Sequence, residues 1–228
     1  MPIYNAKLTY IDPTETKRYA GLRKEINFDE KKVFEACEEA QILIDVQGNW
    51  EIYNYDYKNQ TILSEIPVII EGKSIGNHLN NCDKVICMAI TIGENIEKEI
   101  TKKFQKGEYT SSILLDAAAT TAVEQAADTM EKAIGQNPLI RGYSMRWRFS
   151  PGYGDWSLSQ QKELFRLSNA EIIGIRLSTS MMMIPRKSVT AIIGLSNSLV
   201  DNKTKKIEDR KKFSCENCNS VNCPNRKI

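Results

Sequence analysis

The chain has 228 residues, of which 41% are apolar and 26% charged, with 12 glycines and 7 prolines, a composition that excludes collagen-like, fibrous and disordered classes. Its length suits a single hydrophobic core, since one core serves up to roughly 250 residues. Thirty-one Lys and Arg against 29 Asp and Glu leave a formal charge of +2, too balanced to point to nucleic acid as a partner.

From the N-terminus, the stretch MPIYNAKLTYIDPTETKR lacks the apolar core of a secretory signal. No run in the chain approaches the roughly 20 apolar residues of a membrane span, so a cytoplasmic protein with no membrane partner is expected. Asn27-Phe-Asp-Glu30 has the form of a capping box, and Val33, Phe34, Cys37, Ala40 and Ile44 follow at helical spacing, predicting a helix that buries them. Residues 50–57 (WEIYNYDY) and 61–70 (TILSEIPVII) are aromatic and β-branched, predicting strands, the second broken or at an edge because of Pro67. A short helix is expected over 74–81, a buried strand over 85–90 (VICMAI) ended by Gly93, and a helix over 94–103.

The segment 111–134 is so rich in Ala, Leu, Met and Glu that it reads as a central helix, with Leu115, Ala119, Ala122, Ala126 and Met130 near one face and Pro138 closing it. Residues 143–149 alternate, which predicts a strand with Tyr143, Met145, Trp147 and Phe149 on one side and Ser144, Arg146 and Arg148 on the other. A glycine turn over 150–154 precedes Ser157-Leu-Ser-Gln160, a second capping-box pattern opening a helix to about Arg166 with Leu164, Phe165 and Leu167 inward. Strands are expected at 172–177 (IIGIRL) and 188–195 (SVTAIIGL), with Met181, Met182 and Met183 between them as core and sheet residues. From Asp201 onward eight Lys or Arg stand against four Asp or Glu, the character of an exposed appendage. The order of elements predicts an α+β fold. A single domain over 1–200, with a mixed, mainly antiparallel sheet and flanking helices, would carry a basic, cysteine-containing tail over 201–228.

A single histidine, His78, gives Ser-His or Cys-His catalysis and multi-histidine metal sites at most one candidate residue. Two constellations carry other chemistry. In Arg148-Phe-Ser-Pro-Gly-Tyr153 an arginine at a strand end precedes a turn fixed by Pro151 and Gly152. Arginine offers a planar fork to a carboxylate, Gly152 admits a close backbone approach, and Tyr153 brings a ring face and a hydroxyl. The plain alternative is a strand-to-helix turn. The second constellation is Cys215-x2-Cys218-x4-Cys223, whose thiolates could bind zinc or an iron-sulfur cluster, although a closed site takes four ligands. Cys82, Cys87 or His78 could complete it, a partner could, or the cysteines stay unpaired.

Arg148-Phe-Ser-Pro-Gly-Tyr153, with Ile173-Gly-Ile-Arg-Leu177, Ser180 and Met183-Ile-Pro-Arg-Lys-Ser-Val189, resembles the activation (reactivation) domain of cobalamin-dependent methionine synthase. The resemblance extends through Arg18-Tyr-Ala-Gly21, His78-Leu-Asn-Asn-Cys82, Ala89-Ile-Thr-Ile-Gly93 and Ala122-Val-Glu-Gln-Ala-Ala-Asp128, covering roughly residues 18 to 195, and is nearer to stand-alone relatives with a cysteine-rich tail. It implies binding of S-adenosylmethionine and reductive methylation of cob(II)alamin held on a partner, with an electron donor such as flavodoxin. By the same resemblance Arg148 would pair with the methionyl carboxylate, the Pro151-Gly152 backbone would hydrogen-bond the ligand, Tyr153 would wall the site and Glu124 would neutralise the amino group. The chain departs from the family where Leu177-Ser-Thr-Ser180 replaces Leu-Thr-Glu-Ser, and where Gly142 stands at a carboxylate position.

The expected function is that of a separate reactivation subunit for methionine synthase or a related corrinoid methyltransferase, an accessory component with no catalytic residue of its own. The alternative is a non-catalytic protein that docks a corrinoid protein and uses the cysteine tail for metal or electrons.

Overall fold

A computed structural model describes residues 3–22, 28–137 and 140–197. The strands that form one sheet are β1 (Ile3–Tyr4), β2 (Gln47–Asp56), β3 (Thr61–Leu63), β4 (Val68–Ile69), β5 (Lys84–Thr91), β6 (Tyr143–Met145) and β9 (Ser188–Asn197). They lie in the order β4-β3-β2-β5-β9-β6, with β1 beside β2. Every described pairing is antiparallel, so the sheet expected to be mainly antiparallel is wholly so among the described residues. A two-stranded ribbon, β7 (Arg176–Leu177) with β8 (Met183–Ile184), stands apart from it.

Helices cover both faces, which is why β5 reads as a continuous apolar run rather than an alternating one. Ile86, Met88 and Ile90 enter the core beneath α1 (Pro13–Tyr19), α2 (Glu30–Leu43), α4 (Asn95–Gln105) and α5 (Tyr109–Gly135). Val85 and Cys87 enter the opposite core with α3 (Lys73–His78) and α6 (Gln161–Leu167). The central helix α5 buries Leu115, Ala119, Ala122, Ala126 and Met130 as its pattern predicts. Its small residues let it lie close to the sheet: a Cβ on Gly48 of β2 would stand 2.7 Å from the Met130 sulfur. No helix among the described residues is long and apolar enough to cross a membrane.

Several local expectations are corrected. Asp29, rather than Asn27, caps α2 by accepting the Lys31 N–H, and Asn27 lies outside the described residues. Phe34, expected inside, is 51% exposed. The segment 172–177 is no continuous strand: residues Ala170–Ile173 form a 3-10 turn that Gly174 ends with a left-handed φ of 78°, and only Arg176 and Leu177 pair. Met181 and Met182 turn this ribbon back, Met182 being exposed, whereas Met183 pairs with Leu177 in β8 and packs against the small core of Phe165, Ala170 and Ile175, as expected of a core and sheet residue. Pro138 and the tail from 201, including Cys215, Cys218 and Cys223, lie outside the described residues.

Candidate functional site

One register change decides where the key arginine points. On β6, Tyr143, Ser144 and Met145 pair with Asn197, Ser196 and Leu195, while Phe149 bridges Ile192. Four steps on one strand thus face three on the other, and the extra residue makes a bulge at 146–148 that breaks the two-residue alternation. Met145 packs into the core under α5, whereas Trp147 and Phe149 pack into the opposite core. The Arg146 stem lies with Leu79 and Cys82 on the Gly194 side. Arg148 turns the other way, onto α5. The expectation that Ser144, Arg146 and Arg148 share a face therefore fails.

On α5, Glu124, Asp128 and Glu131 recur at helical spacing and present one acidic strip. Arg148 lies along it: Nη2 donates to Glu124 Oε2 at 2.9 Å, and Nη1 donates to Glu131 Oε2 at 3.0 Å and to Asp128. Burial opposes the guanidinium charge, but Asp128, Glu124 and Glu131 outweigh it and hold the pKa above the ordinary arginine value. The structure brings Glu124 and Arg148 together by pairing them with each other, where the resemblance implies a separate ligand group for each. Asp128 and Glu131 join them, although nothing in the sequence analysis gave them a role. Their offsets of four and seven residues from Glu124 were the available signal.

The turn after Arg148 is closed from within. Gly152 donates its N–H to the Trp156 carbonyl at 2.8 Å, and Tyr153 donates to the Ser150 carbonyl at 3.1 Å. With no N–H on Pro151, any backbone contribution of Pro151-Gly152 to a ligand falls to carbonyl oxygens. Gly152 has φ +92°, a conformation that suits glycine. Asp155 fixes the far side of the turn by accepting the backbone N–H groups of Lys73 and Ser74 at 2.9 and 2.8 Å. These bonds, Ser74 first, hold its carboxyl below the usual range. His78 packs 4.4 Å from the Trp147 ring and 5.2 Å from Phe149, with Nε2 2.8 Å from the Trp147 carbonyl, which makes it a packing residue of this turn.

Tyr153 is 52% exposed and meets Phe149 edge-on at 5.8 Å. Partial burial and then the charge of Glu124 raise its pKa. Tyr19 shares these two causes in the same order, so the acidic strip has a ring on each neighbouring element. α1 runs antiparallel to α5, fastened by Asp12 N to Gln125 Oε1 at 3.0 Å and Thr16 Oγ1 to Thr121 Oγ1 at 3.1 Å. That direction carries Tyr19 to the Ala117–Thr120 level, where it helps line a groove of about 440 Å³ with Ile100, Ile113 and Asp116. Lys187 bounds this region, its Nζ 2.8 Å from both Thr120 Oγ1 and Asp116 Oδ1. Tyr19 lies in the quoted Arg18-Tyr-Ala-Gly21 stretch, yet nothing in its spacing marked it as a site residue.

Among the described residues no group of three or more His, Cys, Asp or Glu is arranged to hold a metal. Cys82 and Cys87 are fully enclosed, and burial pushes the Cys87 thiol up, which disfavours the thiolate a metal needs.

The chain is similar to known proteins in both sequence and fold. A family model described as "Vitamin B12 dependent methionine synthase, activation domain" matches residues 75–211, more than half of the chain. Thirteen chains of solved structures match the fold. One is a MetH reactivation domain bound to AdoHcy, which superposes with a TM-score of 0.57 at 13% identity over 90% of this chain and 80% of its own. At that identity the likeness carries the fold alone. No curated protein matches.

Proposed function

Because the chain belongs to the activation-domain family of vitamin B12-dependent methionine synthase, we propose that it holds S-adenosylmethionine beside the Glu124-Arg148-Tyr153 cluster and presents it to a cobalamin-binding partner. In this reading it is a separate, cytoplasmic reactivation component of methionine synthase or a related corrinoid methyltransferase, served by an electron donor such as flavodoxin. The carrying observation is the charge balance around Arg148. Three carboxylates face one guanidinium, leaving excess negative charge that suits a ligand bearing both a sulfonium and an ammonium.

The ligand carries an already activated methyl group to a reduced corrinoid when bound. The chain's own residues then need only position it, and no general base is required. Arg148 would receive the methionyl carboxylate by exchanging one carboxylate for another. Asp128 is the natural one to yield, since its side chain is 54% exposed while Glu131 is 6% exposed. Glu124 would then turn to the ammonium, with the Pro151 and Gly152 carbonyls as further acceptors and Tyr153 as a wall. The exchange leaves Arg148 with a full set of acceptors throughout, so it involves no unpaired buried cation.

The residues present fit such a ligand in kind: a fork for its acid end, acids for its amine and rings beside them. Calorimetry with S-adenosylmethionine tests the reading. Wild type should release or absorb heat at micromolar to millimolar ligand, and Arg148→Lys, which keeps the charge but loses the bidentate fork, should bind at least tenfold more weakly. No heat at millimolar ligand removes the proposal. It would favour instead a docking protein without ligand, a reading supported by the fact that Nη1 and Nη2 of Arg148 already hold carboxylates. Cys215, Cys218 and Cys223 remain a proposed zinc or iron-sulfur element, for which metal analysis and ultraviolet-visible spectra of anaerobically purified protein are decisive.

A further inference from the structure

The main sheet ends at β4, and the outer edge of that strand is met by side chains. Ile70 turns its N–H inward, to the Gln60 carbonyl at 2.7 Å, so by antiparallel alternation the backbone groups of residues 67, 69 and 71 face outward. Gln160 meets them with its amide. Nε2 donates to the Ile69 carbonyl at 3.1 Å and Oε1 accepts the Glu71 N–H at 3.2 Å, the two bonds that the peptide group of a neighbouring strand would make. The amide is fixed from behind, since Oε1 also accepts Nε1 of the buried Trp156 at 3.0 Å. Arg166 adds a contact from Nη2 to the Ile66 carbonyl at 3.2 Å, and Pro67 has no N–H to offer.

Under this cover the edge is suited to a second copy of the chain. Ile69 stands opposite Thr61 and therefore shares a face of the sheet with Leu63, and the two are 62% and 51% exposed. An antiparallel pairing of two β4 strands about Ile69 is isologous: Ile69 meets its own copy, and Glu65 of one chain comes toward Lys73 of the other, placing opposite charges at both ends. The backbone bonds of that pairing would run from the Ile69 N–H to the Ile69 carbonyl and from the Glu71 N–H to the Pro67 carbonyl, in both directions. Each of them needs either the Ile69 carbonyl or the Glu71 N–H, and Gln160 holds both. An unpaired edge with exposed apolar side chains is otherwise a template for strand addition.

We propose that β4 is a self-pairing edge and that Gln160 is the plug that keeps it closed, so that without the amide two copies of the chain join through one continuous sheet. The proposal goes beyond the reading of the Arg148 cluster and does not rest on it. Sedimentation velocity over a concentration series tests it on the full chain, with wild type, Gln160→Leu and the double variant Gln160→Leu/Ile69→Lys. Gln160→Leu should self-associate at least about tenfold more tightly than wild type, because the freed backbone groups find partners only in a second copy. Ile69→Lys sets two ammonium groups against each other across the pairing and should bring the double variant back to the wild-type level.

Thermal melts check that both variants fold. If they do not, amide hydrogen exchange on wild type decides: Glu71 is exposed, yet its N–H should exchange at least about tenfold more slowly than in an unstructured chain because Gln160 holds it. Self-association of Gln160→Leu no tighter than that of wild type overturns the proposal. So does association that persists undiminished after Ile69→Lys, and so does a Glu71 amide that exchanges as freely as in an unstructured chain.

Discussion

Replacing Arg148 with alanine should cost the fold as well as the ligand, and the size of that loss follows from which partner is left behind. Glu124 and Asp128, with side chains 39% and 54% exposed, can return to water, and such pairs contribute only about 0–1 kcal/mol each. Glu131 cannot, since the residue is 5% exposed and its Oε2 sits 3.0 Å from the guanidinium. Stripping the partner from a buried charge costs about 3–5 kcal/mol. Because the Arg148 side chain keeps 18% exposure, so that water reaches part of the pair, the lower figure of about 3 kcal/mol applies at pH 7. For a domain of this size each kcal/mol moves the melting temperature by roughly 2–4 °C, so a fall of about 6–12 °C is expected. Urea melts at pH 7 measure this. A loss under 1 kcal/mol refutes the reasoning.

Gly194→Ala should destabilise by about 1–3 kcal/mol through overpacking, because its Cβ would meet Cys82 Sγ at 2.6 Å and Leu79 Cδ2 at 2.9 Å; adding Cys82→Ala should recover part of that in a double-mutant urea series. Gly152→Ala forces a side chain onto φ +92° and should lose about 1–2 kcal/mol by thermal melting, whereas Gly48→Ala should fail through contact with Met130 rather than through strain. The contribution of Asp155 is present above the unfolded aspartate pKa of about 3.9 and is lost as the pH falls through the lower folded value. Asp155→Asn should therefore be less stable than wild type by a constant margin from pH 7 to 5, and a margin that closes only below pH 4 is the expected result of a stability-pH series.

Patterns set by burial were legible before any coordinates. The α5 positions Leu115, Ala119, Ala122, Ala126 and Met130 repeat at the helical period because one face meets the sheet, and 85–90 is apolar throughout because both faces of β5 are covered. The convergence of Glu124, Arg148 and Tyr153 came from resemblance, and spacing alone could not have joined residues from a helix, a strand end and a turn. What stayed hidden has physical reasons. A bulge depends on the partner strand, so nothing within 143–149 announces that Arg148 leaves the face of Arg146. Arg148 carries enough donors for several acceptors, and sequence could not say that α5 would fill them with Asp128 and Glu131. The run 172–177 has strand-forming residues, but Gly174 at φ 78° ends a 3-10 turn there. Phe34 fits the period of α2 and still points outward, and no described contact accounts for it.

The inserted position between Met145 and Phe149 makes residue count itself a carrier of information. A strand that kept all five residues but ran straight would retain the same arginine, the same helix and the same turn, and would aim its cation to the side of Leu79 and Cys82 instead of at Glu131. Losing one of Arg146 or Trp147 would instead restore plain alternation and leave Arg148 on the α5 side, so the aim of the guanidinium depends on the bulge and the residue count together.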